Sequence, residues 1–177
     1  MRVVALVQER NLMTDSAHII FKTVDESALE TLVDLRWRFV RELKRLEDPE
    51  PPLEFRRATT EYFARHLRAG SYIGILGLID EKIVCCAGLL LYDLPPLNSS
   101  AGRKIGHVLN FYTVPESRRA GAGASLLRFT IDTAVARGID RLFLNATKMG
   151  EPLYRKAGFA EQEEAALTLE VAPRAVT

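Results

Sequence analysis

The stretch Val114-Pro115-Glu116-Ser117-Arg118-Arg119-Ala120-Gly121-Ala122-Gly123-Ala124-Ser125-Leu126-Leu127 decides the fold. A β-rich run, Ile105 to Val114, enters it, and an amphipathic helix from about Gly123 to Arg137 leaves it. Between them lie two glycines, an alanine spacer and two arginines. Glycine lacks the Cβ that would keep a ligand away from the backbone, and the first amides of a helix have no acceptor within it. The backbone N–H groups of Arg119, Ala120, Gly121, Ala122, Gly123 and Ala124 are therefore expected to hold an anion, helped by the partial positive charge of the helix start. The stretch reads as a cradle for a diphosphate.

Downstream, Gly138 ends the helix and Asp140 to Ala146 is the next strand. The short connection marks a parallel βαβ crossover. A short helix, about Glu151 to Ala157, stops at Gly158, and alternation from Glu164 to Val171 predicts a last strand. Upstream, Ile19 to Thr23 reads as a strand. Asp25 then caps a helix carrying Leu29, Leu32, Val33, Trp37, Val40 and Leu43 at three- and four-residue spacing. Pro49, Pro51 and Pro52 end it, and a second helix runs from about Thr59 to Arg68, with Phe63 and Leu67 inward. Tyr72–Asp80 and Lys82–Tyr92 form an antiparallel hairpin through Asp80-Glu81, and Asp93 to Lys104 is a surface loop. The fold class is α/β: a mixed, mostly antiparallel central sheet flanked by helices, with one parallel βαβ unit carrying the cradle.

With 177 residues the chain is one domain, and residues 1–17 read as a loosely attached N-terminal extension. A net charge of +1 argues against nucleic acid as a partner. Arg36, Arg38, Arg41, Lys44 and Arg45 cluster at helical spacing and read as a solvated helix face. No apolar run approaches a membrane span, and nothing at the N-terminus resembles a signal peptide. Cys85 and Cys86 are adjacent and would point to opposite faces of a strand, so neither a disulfide nor a metal site is implied. The expectation is a cytoplasmic protein without a structural metal.

Three phosphate-binding patterns compete for the cradle. A Walker A loop needs a lysine after its second glycine, and none follows Gly121 or Gly123. A dinucleotide fingerprint needs a third glycine where Leu126 stands, and an acidic residue ending the next strand, whereas Asp140 begins it. The third pattern fits. Arg118-x-x-Gly121-x-Gly123, preceded by Val114-x-Glu116 and followed by Leu126-Leu127, resembles the acyl-CoA signature of the GNAT superfamily of N-acetyltransferases. Leu144-Asn145-Ala146-Thr147, then Gly150, Pro152, Leu153, Tyr154 and Gly158-Phe159, is similar to that family's C-terminal motif. The resemblance covers roughly residues 70–160.

The resemblance implies acetyl-CoA as co-substrate, with its pyrophosphate on the amides of residues 119–124 and Arg118 adding charge or bracing the loop. It implies that the strand before the turn bulges and splays from its parallel neighbour, leaving a gap for pantetheine. Amides near Phe111, Thr113 and Val114 would bind that arm and polarise the thioester carbonyl. Tyr154 would protonate the departing thiolate, and Asn145 or Thr147 would touch the coenzyme. The general base is open among His107, Glu42 and a water chain; His18 and His66 have no supporting context. Trp37 and Phe39 would line an acceptor pocket or belong to the core.

The activity implied is direct acetyl transfer, in a ternary complex, to a primary amine of a small molecule or peptide. The other readings are a non-catalytic acyl-CoA sensor and an enzyme acting on a protein N-terminus or lysine. A small-molecule acceptor calls for a closed, acidic pocket. The family resemblance also allows a homodimer.

Overall fold

The computed structural model describes residues 10–14, 17–96, 103–162 and 168–169. Its described residues build one six-stranded sheet in sequence order. The strands are β1 (Arg10–Thr14), β2 (Ala17–Val24), β3 (Tyr72–Ile79), β4 (Lys82–Leu94), β5 (Arg103–Thr113) and β6 (Arg141–Phe143). Neighbours are antiparallel except for β5 and β6, which are parallel. The helices are α1 (Leu29–Lys44), α2 (Leu53–Arg68), α3 (Ala122–Ala136) and α4 (Glu151–Lys156).

Strand alternation sends side chains to two separate cores. On one face Ile19, Phe21, Ile75, Cys85, Leu89 and Val108 meet Leu126, Phe129 and Ala134 of α3. On the other, Leu76, Cys86 and Tyr112 meet Leu32, Val33 and Leu35 of α1 and Phe63 of α2. Cys85 and Cys86 thus face opposite sides, and burial pushes both thiols up to about 12. Fully buried leucines such as Leu89 and Leu126 contribute about 2 kcal/mol each by leaving water.

Several boundaries differ from the sequence expectation. Of the expected extension, residues 10–14 pair with β2, Arg10 opposite Phe21 and Thr14 opposite Ala17, and residues 1–9 and 15–16 lie outside the described residues. Asp25 accepts from the Ser27 amide at 2.9 Å, capping a 3₁₀ turn, Glu26–Ala28, that leads into α1. The second helix begins at Leu53, not Thr59. Pro52 supplies the first acceptor, for Arg56 N–H, while the Arg56 side chain reaches Glu30 and Asp34 on α1 at 3.1 and 3.0 Å. Such tertiary ties leave no mark in hydrophobic spacing. The Asp80-Glu81 turn takes two left-handed residues, φ 47° and 62°, as a tight hairpin requires. The loop expected over Asp93–Lys104 is shorter, because β4 runs to Leu94 and β5 starts at Arg103. The predicted strand Asp140–Ala146 keeps only Arg141–Phe143. The predicted strand Glu164–Val171 lies largely outside the described residues, and the described pair, Thr168 and Leu169, are not in a strand.

Candidate active site

The site grows from an irregularity in β5. Cys86 pairs with Tyr112 and Gly88 with Leu109, so Ala87 alone faces both Asn110 and Phe111. This is a β-bulge, and Asn110 carries it with φ 51°, a left-handed conformation that asparagine tolerates better than most residues. On its other edge β5 pairs with β6 for three residues only, ending at His107 opposite Phe143. Beyond that rung the strands part, which is why residues 144–147 leave the sheet.

The parting exposes backbone groups in a definite order. Val114 N–H donates to Val84 O at 3.0 Å, making that pair a hydrogen-bonded rung. By antiparallel alternation Thr113, one residue earlier, turns its N–H away from β4 and toward the gap. Val114 is therefore a correction: its N–H belongs to Val84, its carbonyl accepts from Ser117 N–H, and no amide remains there for a ligand.

A 3₁₀ turn, Pro115–Ser117, leads from β5 into the cradle. Arg119 and Gly121 adopt left-handed conformations, φ 61° and 83°. The first backbone bond of α3 runs from Ser125 N–H to Gly121 O, and no side chain caps the helix. Among the described residues, the six N–H groups of residues 119–124 have no hydrogen-bond acceptor. A Cβ added at Gly123 would make only ordinary contacts, with Leu153 Cδ2 at 3.5 Å and Thr113 Oγ1 at 3.6 Å. Protein packing alone would admit alanine there.

Arg118 braces this turn. Its Nε donates to Thr113 O at 2.9 Å, its Nη2 to Glu42 Oε2 at 2.6 Å, and its guanidinium lies 5.6 Å from the Tyr112 ring centre. The same contact engages Glu42. Arg118 holds its carboxyl below the usual carboxylate range, and the pair ties α1 to the turn. Trp37 is core: it is buried, donates to Pro49 O at 3.0 Å and meets Phe55 edge-on at 5.0 Å. Phe39 is half-buried against Tyr112.

Tyr154 reaches toward the strand from α4. Its ring meets Phe111 edge-on at 5.5 Å and Phe159 at 5.9 Å, and burial pushes its phenol up to about 12. It stays protonated at neutral pH, and its hydroxyl has no partner among the described residues. His107 stands at the last β5–β6 rung with its ring 4.6 Å from Phe143. Its Nε2 is buried without a partner, and burial lowers its pKa, keeping the imidazole neutral. Of the two polar residues after β6, Thr147 is occupied: its Oγ1 and carbonyl accept from Gly150 N–H at 3.2 and 3.0 Å. Asn145 is exposed and free of such bonds among the described residues.

On the α1 side a groove of about 560 Å³ opens between the helix C-terminus and the exit of β5. Arg38, Arg41 and Arg45 line it with Tyr112 and Glu116. It is open, and arginines outnumber carboxylates in its lining. Arg36 also leaves the basic face assigned to it: it is half-buried, and its Nη1 donates to Asn110 Oδ1 at 2.6 Å. Asn110 and Arg36 escaped sequence reasoning, and so did Tyr72 and Gly88, which meet beside them. The available signal was an asparagine interrupting the apolar run Val108-Leu109-Asn110-Phe111-Tyr112.

The model of the acetyltransferase (GNAT) family matches residues 32–159, and the chain belongs to that family. Acetyl-CoA is the co-substrate that enzymes of this family use. A predicted acetyltransferase from Clostridium acetobutylicum, crystallised with acetyl-CoA, shares 26% identity at a TM-score of 0.75 over 86% of this chain and 96% of that one. Glucosamine 6-phosphate N-acetyltransferase of Trypanosoma brucei brucei is 28% identical over 82 residues, 46% of this chain and 54% of that protein. The chloroplastic GCN5-related N-acetyltransferase 6 of Arabidopsis thaliana is 26% identical over 66 residues, 36% of this chain and 23% of that one. The chain thus spans about half or less of these two relatives. Among the described residues no helix is long and apolar enough to cross a membrane.

Proposed function

We propose that this protein transfers the acetyl group of acetyl-CoA to a primary amine by direct attack within a ternary complex. The observation that carries this reading is the run of six unpartnered amides, residues 119–124, at a helix start beside a splayed, bulged strand. The amides take the pyrophosphate, Asn145 contacts the coenzyme, and pantetheine lies in the gap along Thr113. The amine nitrogen attacks the thioester carbon while the N–H groups of Phe111 and Thr113 receive the developing oxyanion. The C–S bond then breaks and Tyr154 gives its proton to the thiolate. The dehydrated surroundings that raise the phenol also raise the basicity of a thiolate beside it. His107, neutral and with a buried, unpartnered Nε2, takes the proton lost by the amine once the acceptor is bound.

The groove gives the acceptor a chemical character. Glu42 is neutralised by Arg118, leaving Arg38, Arg41 and Arg45 against Glu116, so an amine that also carries a phosphate or carboxylate is favoured over a polycation. The sugar phosphate in the name of the trypanosomal relative has that character.

The test is thiol release from acetyl-CoA across amines bearing phosphate, carboxylate, no charge or several positive charges. Fastest turnover of the anionic amines, weakened by Arg41→Glu, is expected. Preference for polycations would overturn the acceptor reading. Acetyl-CoA binding without thiol release on any amine would make the chain a sensor, and no binding at all would end the proposal.

A further inference from the structure

The bulge is held from three other elements through one residue. The Asn110 side chain bridges α1 and β3: Arg36 Nη1 donates to its Oδ1 at 2.6 Å, and its Nδ2 donates to Tyr72 Oη at 3.1 Å. A guanidinium has donors only, so the amide oxygen must face Arg36 and the amide nitrogen must face the tyrosine. The Asn110 carbonyl is held from β4, where Cys86 Sγ donates to it at 3.5 Å.

Each partner is itself fixed. The Arg36 guanidinium lies 5.5 Å from the Phe39 ring centre. Tyr72 is buried, with ring centres of Phe63 and Tyr62 at 5.1 and 6.4 Å. Its hydroxyl fits only because residue 88 is glycine: a Cβ there would sit 1.9 Å from the Tyr72 oxygen.

We propose that Arg36, Asn110 and Tyr72, with the space left by Gly88, form a brace whose task is to aim the oxyanion-binding amide of the bulge. They are positioning residues. In a trans peptide the carbonyl of one residue and the N–H of the next point in opposite directions. Holding Asn110 O against Cys86 therefore also fixes where the Phe111 N–H points. A left-handed residue in an open strand is strained and would relax without such support. The brace thus converts a local distortion into a donor of fixed direction, which is what transition-state stabilisation requires. This inference rests on the functional reading above.

The decisive variant is Asn110→Gly, because glycine keeps the left-handed backbone at no steric cost while removing both side-chain bonds. Full-length wild type and variant are compared by acetyl-CoA dissociation constant, kcat and melting temperature. In a parallel arm, a non-hydrolysable acetonyl-CoA with a ¹³C carbonyl reports carbonyl polarisation by NMR without needing turnover. The expected result is a kcat lowered roughly 10- to 100-fold, somewhat less than outright loss of an oxyanion donor costs, at nearly unchanged acetyl-CoA affinity. The bound carbonyl resonance, shifted downfield in wild type, should return toward its free position. Arg36→Lys should recover part of the kcat that Arg36→Met loses. A carbonyl shift and kcat that survive in Asn110→Gly overturn the brace alone. Parallel losses of affinity, kcat and melting temperature also overturn it, since the residues would then only support the fold. A bound wild-type carbonyl that is not shifted overturns the oxyanion reading itself, and the brace with it.

Discussion

The bulge at Asn110 and the turn at residues 119–124 treat their polar groups in opposite ways. At the bulge the amide oxygen, amide nitrogen and carbonyl of one asparagine all have partners, drawn from α1, β3 and β4. At the turn, six successive N–H groups have none among the described residues, and α3 begins without a side-chain cap. Both segments contain left-handed residues, so backbone strain does not separate them. What separates them is whether the protein completes its own hydrogen bonds. Internal partners hold a geometry that has to be kept, and their absence leaves donors for something else, in the proposed function an anion. Arg118 obeys the first rule: it was a candidate for charge toward the ligand, yet it ties Thr113 and Glu42 together and steadies the turn from beneath.

The contrast can be broken at several points. Tyr154 belongs with the open groups, since its hydroxyl has no partner among the described residues, and Tyr154→Phe should lower kcat about 1000-fold with little change in KM. A loss of stability with kcat intact would return Tyr154 to the core. Gly123→Asp places a carboxylate among the open amides. In the first turn of a helix that charge favours folding, so the melting temperature should hold or rise while acetyl-CoA binds about 100-fold more weakly. Undiminished affinity by calorimetry would mean that the amides do not hold the diphosphate.

His107 sharpens the pH dependence. Burial depresses its pKa, so the unfolded chain binds the proton more readily than the folded one. The stability this confers is present above the ordinary imidazole value of about 6.5 and is lost as pH falls through the lower folded value. As the base, His107 should give kcat/KM an acid limb with an apparent pKa below about 6.5. His107→Gln should remove that limb and cost about 100-fold at neutral pH; a profile unchanged by the substitution would assign the proton to water. The smallest effect belongs to Glu42. Arg118 depresses its pKa, so the pair stabilises above the unfolded carboxylate value and the contribution fades as pH falls through the folded one. Glu42 is more than a third exposed, and solvent screening leaves about 0.5 kcal/mol. Glu42→Gln should therefore lower the neutral-pH melting temperature slightly and make no difference in strong acid.

The sequence carried the cradle because its signal is local. Strand, glycines and helix start are contiguous from Val114 to Leu127, and the amides of residues 119–124 follow from helix geometry without any tertiary knowledge. The opposite facing of Cys85 and Cys86 followed in the same way from the two-residue period of a strand. The choice of Thr113 over Val114 as an amide facing the gap was not legible. It depends on which rung of the β4–β5 ladder is hydrogen-bonded, and the Val114–Val84 bond decides that. Glu42 looked like a free carboxylate on a helix face because its partner, Arg118, is distant in sequence. Thr147 and Asn145 were indistinguishable until the start of α4 claimed the threonine.

By itself, then, the chain determined the order of its elements and the run of open amides at the start of α3, since both arise from neighbouring residues and the periods of helix and strand. The tertiary structure decided where β5 and β6 part, which amides face the gap and what holds the bulge. Those outcomes come from partners brought together from Arg36, Tyr72, Cys86 and Asn110. Hydrogen-bond direction between distant segments is fixed only once packing has set their register.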